Sequence, residues 1–188
     1  KGINFHPGQF AWISVGANPY MDREHPFSIA SSAEKPDQIS FTIKNLGDFS
    51  STIPSLKTGE KVYLDGPYGS FSIDRHQHAK GFVFLAGGIG ITPFRSTLRT
   101  IRDRKDTRPV WLFYANNEWK DVTFREELES IQSEINLHLI HVIRFPEDGY
   151  QGETGFITKQ VLLSHLPADT TGLEFFICGP IPMMKAAE

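Results

Sequence analysis

Few folds accommodate the stretch Phe82–Arg95, FVFLAGGIGITPFR. Phe82-Val83-Phe84-Leu85-Ala86 is an unbroken apolar run, too short for an ordinary helix and rich in β-formers, which reads as a strand buried on both faces of a parallel sheet. Gly87-Gly88-Ile89-Gly90 follows, and then Phe94, Leu98 and Ile101 at helical spacing. Thr92 suits an N-cap, and Pro93 a first helical residue, because its missing N–H would be orphaned there anyway. A strand running through a glycine-rich turn into a helix N-terminus suits phosphate: amides and the positive end of the helix dipole face the anion, and glycines let the backbone come close. The stretch is not the dinucleotide fingerprint G-x-G-x-x-G, since from Gly88 the third glycine position is Pro93. The alternative is a tight strand-to-helix turn without a ligand.

The second half of the chain alternates strand and helix around this stretch. A helix (Thr92–Arg104) precedes a strand (Val110–Ala115), and Val122–Ser133 is a second helix with Phe124, Leu128 and Ile131 on one stripe. Leu137–Ile143 is a strand, Thr158–His165 a helix, Glu174–Cys178 a strand, and Pro182 opens a last helix. Such alternation predicts a doubly wound parallel sheet with ligands beyond the strand C-termini, where Gly87, Asn116 and Gly179 stand. The first half is different. Gln9–Val15, Phe27–Ala30, Ile39–Lys44 and Lys61–Leu64 are short β-rich runs separated by turn residues such as Pro7-Gly8, Asn18-Pro19 and Gly66-Pro67, predicting a small antiparallel barrel or sandwich. A short helix opened by serines is expected after Gly47, as a second anion site.

With 188 residues the chain can bury a real core, and the polar run Asp74–Gly81 separates its halves. His76 and His78 in that run read as solvated connector residues rather than metal ligands, having no carboxylate or cysteine partner nearby in sequence. A net charge of −3 with scattered cations leaves no basic face for nucleic acid. A single cysteine, Cys178, excludes an internal disulfide. No apolar stretch approaches the roughly 20 residues that span a bilayer. The chain opens without methionine, just before a strand, and closes inside a helical pattern at Glu188, so a longer protein is expected. No hydrolytic triad or close carboxylate pair stands out; an enzyme whose reactivity sits in a cofactor needs none.

Four motifs stand in order: His25-Pro26-Phe27-Ser28, Gly66-Pro67-Tyr68-Gly69-Ser70-Phe71, Gly87-Gly88-Ile89-Gly90-Ile91-Thr92-Pro93 and Cys178-Gly179-Pro180. Together they resemble the ferredoxin–NADP reductase family, in detail the dehydrogenase portion of membrane ferric reductases and NADPH oxidases. The resemblance implies a FAD-binding β-barrel over 1–74, incomplete at its start, a linker over 75–81, and an NAD(P)H-binding α/β domain over 82–188, incomplete at its end. It implies that Phe27, flanked by Pro26, stacks on the flavin, that Ser28 hydrogen-bonds its hydride-accepting nitrogen, and that His25 lies by the pyrophosphate. Ile43, Lys44, Gly47, Phe49, Ser50 and Ser51 would form the second flavin segment. Gly87, Gly88, Gly90, Ile91, Thr92 and Pro93 would cradle the NADH or NADPH pyrophosphate. Cys178, Gly179, Pro180 and Met183 would line the nicotinamide pocket, with Ser28, Thr92 and Cys178 aligning the reaction. Coenzyme choice is expected at Asn116 and Asn117, with Lys120 and Arg125 as candidate phosphate contacts. By the same resemblance electrons pass to haem, and on to ferric iron or oxygen, through a membrane domain of the same chain, which puts this part at the cytoplasmic face. Two alternatives stand beside it: a soluble reductase feeding an iron–sulfur protein or oxygenase, and a non-catalytic nucleotide-binding or regulatory module.

Overall fold

The computed structural model describes residues 2–16 and 24–187. The turn expected at Asn18-Pro19 lies outside them. In the first half, β1 (Phe10–Val15) is the centre of a three-stranded antiparallel sheet, flanked by β2 (His25–Ser28) and, later in the chain, β3 (Val62–Tyr68). Ala11 and Ile13 alternate inward and are buried, as a half-buried strand requires. A register shift between Phe10 and Trp12 bends the β1–β3 pair. Between β2 and β3, α1 (Asp48–Thr52) is a single short helix.

Ile39–Lys44 is not a ladder strand. Its ordered pairing is one isolated bridge, Phe41 to Ile29, and residues 42–46 run without regular structure. β-rich composition predicts a strand only where a neighbour offers a pairing edge, and beyond Phe41 none of the described residues does.

The second half is a five-stranded parallel sheet in the order β7-β6-β5-β4-β8. Its strands are β4 (Gly81–Gly87), β5 (Val110–Asn116), β6 (Leu137–Ile143), the two-residue β7 (Glu153–Thr154) and β8 (Leu173–Cys178). Every residue of β4 is buried. Phe82, Phe84 and Ala86 face α2 (Ile91–Arg104) and α3 (Arg125–Glu134), packing with Phe94, Leu98, Ile101, Leu128 and Ile131. Val83 and Leu85 face the other way, toward α4 (Lys159–His165) and α5 (Ile181–Ala187). The chain winds outward from β4 through β5, β6 and β7, then returns to set β8 on the opposite side of β4. Strand order therefore reverses between β4 and β8, and the crevice beyond their C-terminal ends is where this architecture binds ligands.

Two helix starts differ from the sequence expectation. α2 begins at Ile91, directly from a 3-10 turn over Gly88–Gly90, so Gly90 is the N-cap and Thr92 already lies inside the helix. The Thr92 hydroxyl donates to the Ile89 carbonyl instead of capping an amide. α3 begins at Arg125; Phe124, expected on its stripe, precedes it in the left-handed region at φ 63°. Its ring is held by the Arg95 guanidinium 4.0 Å above it.

Candidate functional site

The crevice between β4 and β8 is built by close backbone approach. Cys178 pairs with Ala86, one residue before the glycine turn. A Cβ on Gly90 would lie 2.2 Å from the Cys178 carbonyl oxygen, and one on Gly87 would lie 2.7 Å from Met183 Sδ and 2.8 Å from Pro180. Gly179 is pressed as closely against Met183 and Gly87. The structure thus brings Gly87, Gly90, Cys178, Gly179, Pro180 and Met183 together. Gly88 is the opposite case: its φ of +52° is left-handed, and open space lies where its Cβ would point. The first amides of a helical turn have no partner within it, and here they belong to Gly88 and Ile89. Ile91, Thr92 and Pro93 form the first, buried turn of α2 behind them. A cradle of this kind, open only at its tip, fits a pyrophosphate. Burial pushes the Cys178 thiol above its ordinary pKa, so at neutral pH it is an uncharged lining group and not a nucleophile.

At the end of β5, Asn116 is buried and its side-chain amide nitrogen has no hydrogen-bond partner among the described residues, an orphaned donor at the ligand edge of the sheet. Asn117 is exposed and its carbonyl accepts from the Phe145 amide. Beyond them lies an open cleft of about 610 Å³ lined in part by Trp119, Lys120, Arg125, Glu126, Glu127 and Glu147. Lys120 is held by Glu118 at 2.6 Å, and the Arg125 guanidinium lies 5.3 Å from the Trp119 ring. Trp119 also packs edge-on to His141 and against Tyr150. Burial lowers the pKa of His141, which keeps that ring neutral. The convergence of Trp119, Tyr150 and His141 is not legible in the sequence, because a strand's far end and the loop beyond it carry no periodicity to mark which aromatics meet.

On the flavin side, β2 places His25 and Phe27 on one face and Pro26 and Ser28 on the other. Phe49 of α1 bridges the first pair, stacked 4.2 Å from His25 and 5.9 Å from Phe27, with interplanar angles of 16° and 24°. The three rings form a stack at the sheet edge, with Phe49 covering His25 face-on and reaching over Phe27. Gly47 beside them has φ +125° and open space at its Cβ position. Ser28 closes β2 opposite Phe10, whose ring meets Trp12 and Tyr68. These features fit a planar ring and a bent pyrophosphate.

The serines, however, do not open the helix. The Ser50 hydroxyl donates to the Gly47 carbonyl and accepts from Leu46, and Ser51 donates to Asp48, so both turn back onto the backbone. Short serine side chains make such local bonds readily. Asp48 in the first turn also opposes an anion there. Ile43 and Lys44 lie in the irregular segment before it, Lys44 exposed. His76, one of the connector pair, bonds Glu174 at 3.1 Å.

The two halves meet along α2. The Ser96 hydroxyl donates to the Ser31 carbonyl at 2.7 Å, the Ala33 amide donates to Thr100 Oγ1 at 2.9 Å, and Arg104 bonds both Glu34 and Asp74. Phe71 wedges edge-on between Phe94 and Phe176.

Comparison with known proteins follows this division. Residues 1–72 match the FAD-binding domain family, and residues 84–188 match the oxidoreductase NAD-binding domain family. NADH-cytochrome b5 reductase 1 of Pyricularia oryzae is 30% identical over 185 residues, covering 92% of this chain and 60% of that protein. The reductase component of propane 2-monooxygenase from Mycolicibacterium smegmatis is 29% identical over 194 residues, 98% of this chain and 54% of that one. The chain thus spans little more than half the length of these curated relatives. Among solved structures, the cytochrome b5 reductase domain of Ulva prolifera nitrate reductase superposes with a TM-score of 0.82 at 24% identity, over 98% of this chain and 79% of that one.

Proposed function

From the premise that this chain belongs to the ferredoxin–NADP reductase-like family of flavoprotein oxidoreductase domains, joining a FAD-binding to an NAD-binding half, we propose that it passes hydride from NADH to FAD. FAD, when bound, supplies a ring that accepts two electrons as hydride and releases them one at a time. The work of the chain is alignment. Phe27, beside the His25–Phe49 stack, would pack on the flavin ring at the end of β2, and Ser28, the last residue of that strand, would offer its hydroxyl to the ring's edge. Gly88–Gly90 and the start of α2 hold the coenzyme pyrophosphate through amides. Thr92, Cys178 and Met183 flank the nicotinamide and exclude water around it. Holding two rings in one crevice turns a bimolecular encounter into an intramolecular step. The observation that carries this reading is the close approach of Gly90 to the Cys178 backbone, which sets the glycine turn against the end of β8 at the point where strand order reverses.

NADH is favoured over NADPH by charge. Of the two cations lining the cleft beyond Asn116, Lys120 is already paired with Glu118 and Arg125 lies by the Trp119 ring, with Glu126 and Glu147 in the same lining, so a 2′-phosphate meets no free cation pair. The acceptor we propose is haem, carried by a membrane domain of the longer protein that sets this part at the cytoplasmic face. The resemblance of the four motifs to membrane ferric reductases and NADPH oxidases and the cytochrome in the name of one relative support that choice. Among the described residues no helix is long and apolar enough to cross a membrane. The likeness to a monooxygenase reductase component favours a second reading, delivery to an iron–sulfur protein or oxygenase.

The test is spectroscopic. Flavin absorbance that copurifies with the full-length protein and bleaches anaerobically on NADH, faster than on NADPH, is the expected result. A colourless protein that takes up no FAD would sink the reading and leave a non-catalytic module. Reoxidation by a haem protein, but not by an iron–sulfur protein, separates the two acceptors.

A further inference from the structure

We infer that Ser96, Thr100 and Arg104, one stripe of α2, form a positioning device that fixes the flavin-binding half in register with the coenzyme-binding half. The inference rests on the function proposed above and names how its two sites are held to each other. The three residues recur every fourth position and so lie on one helix face. A run of serine, threonine and arginine on a helix is ordinarily a solvated face, but Ser96 and Thr100 are both 0% exposed. The Ser96 hydroxyl and the acceptor side of the Thr100 hydroxyl are spent on the segment that follows β2, while the Thr100 proton goes to the Ser96 carbonyl one turn back. Ser96 donates to the Ser31 carbonyl, Thr100 accepts from Ala33, and Arg104 reaches Glu34 at the rim. Lys35 meets Asp103 at 3.6 Å on the same line.

The connection to the two sites is short on both sides. Ser31 is three residues beyond Ser28, and Ser96 is one helical turn beyond Thr92. The stripe therefore ties the end of β2 to the start of α2 by a path that avoids the connector over 75–81. Adhesion between the halves comes from apolar burial around Phe71 and Ile73, and the hydrophobic effect that drives it is non-directional. Hydroxyl–backbone bonds have a required distance and angle, so a slide of the halves that apolar packing would tolerate breaks them. Direction is what a hydride transfer needs, since small misplacement of reacting rings costs rate out of proportion to binding.

The test compares Thr100→Val, which keeps the side-chain shape but loses the acceptor, with Thr100→Ser, which keeps the hydroxyl, and adds Ser96→Ala and the Ser96→Ala/Thr100→Val pair. In the FAD-loaded full-length protein, the double variant is expected to lower the limiting rate of flavin reduction at saturating NADH by about tenfold to a hundredfold. Its NADH dissociation constant and FAD content should stay within about threefold of wild type, and Thr100→Ser should match wild type. In the apoprotein, amide exchange should rise over residues 31–35 while protection in β1 and β4 persists. A double variant that reduces flavin at the wild-type limiting rate overturns the inference. So does a Thr100→Ser protein as slow as Thr100→Val, or exchange that rises throughout both halves, which is the mark of a merely structural role. A wild-type protein whose flavin NADH does not bleach overturns the proposed function, and this inference with it. The two failures are told apart by the wild-type spectrum alone.

Discussion

Gly88 and Gly90 stand two residues apart and exclude a side chain for different reasons. Gly90 has an ordinary helical backbone, φ −61°, but its Cβ would collide with the Cys178 carbonyl. Gly88 has open space and a left-handed backbone. Gly90→Ala should therefore act as overpacking, costing about 3 kcal/mol, because the obstacle is backbone that cannot rotate away. It should also open the crevice enough to abolish reduction of the flavin by NADH. Gly88→Ala should cost only about 1 kcal/mol, the price of a left-handed alanine. Its methyl group projects where the pyrophosphate is expected, so coenzyme affinity should fall further than stability does. Calorimetry paired with an NADH titration measures both; equal losses of affinity in the two variants would argue against the cradle. The sequence showed that these glycines matter and that a helix follows them. It misplaced the helix start because Thr92-Pro93 matches the side-chain rules for capping, whereas this end is capped by glycine backbone alone.

α2 serves three neighbours with three faces. Phe94, Leu98 and Ile101 fill the core against β4, Ser96 and Thr100 hold the first half, and Arg95 and Arg99 both bind Glu127 of α3. Leu98 is fully buried, so Leu98→Ala should cost about 3 kcal/mol and lower the melting temperature by about 6–12 °C in a chain of this size. The Glu127 clamp predicts a pH dependence. Burial alone would raise its carboxyl, but the hydrogen bonds from Arg95 and Arg99 outweigh burial and hold it below its ordinary value of 4.5. A carboxyl lower in the folded than the unfolded state contributes stability that is complete above the unfolded value and lost as pH falls through the folded one. The gap in unfolding free energy from urea titration between wild type and Glu127→Gln should thus be widest near neutrality, at about 1 kcal/mol after solvent screening, and close as pH falls below 4.5. A gap that persisted in acid would mean the clamp acts by shape instead of charge. The apolar face of α2 was legible from spacing alone. Its polar face was not, because nothing in a serine–threonine stripe distinguishes a surface bathed in water from one pressed against Ser31 and Ala33. The irregular run after Phe41 was illegible for a related reason: β propensity reports what a residue tolerates, and the missing partner edge is a property of the assembled sheet.

At the scale of the whole chain, the question is whether the two halves unfold as one. A three-stranded sheet is close to the smallest that holds together in water, and this one leans on α2 through Ser31, Ala33 and the Phe71 ring. The parallel sheet, with two buried clusters and five strands, would stand more securely by itself. If the polar stripe and the Phe71 wedge couple them, a ligand of the weaker half must stabilise the stronger one too. FAD at about a hundred times its dissociation constant adds about 2.7 kcal/mol to whatever folds with its site. For a single cooperative unit of this size that is a rise of about 5–10 °C, visible equally in flavin release and in loss of helix signal. Release of flavin fluorescence and loss of far-ultraviolet ellipticity should therefore share one midpoint and move together as FAD is added. Two midpoints, of which only the flavin-release one moves, would show the halves to be independent. The geometry between Ser28 and Cys178 would then have to be set afresh at each encounter with coenzyme, and not be carried by the fold.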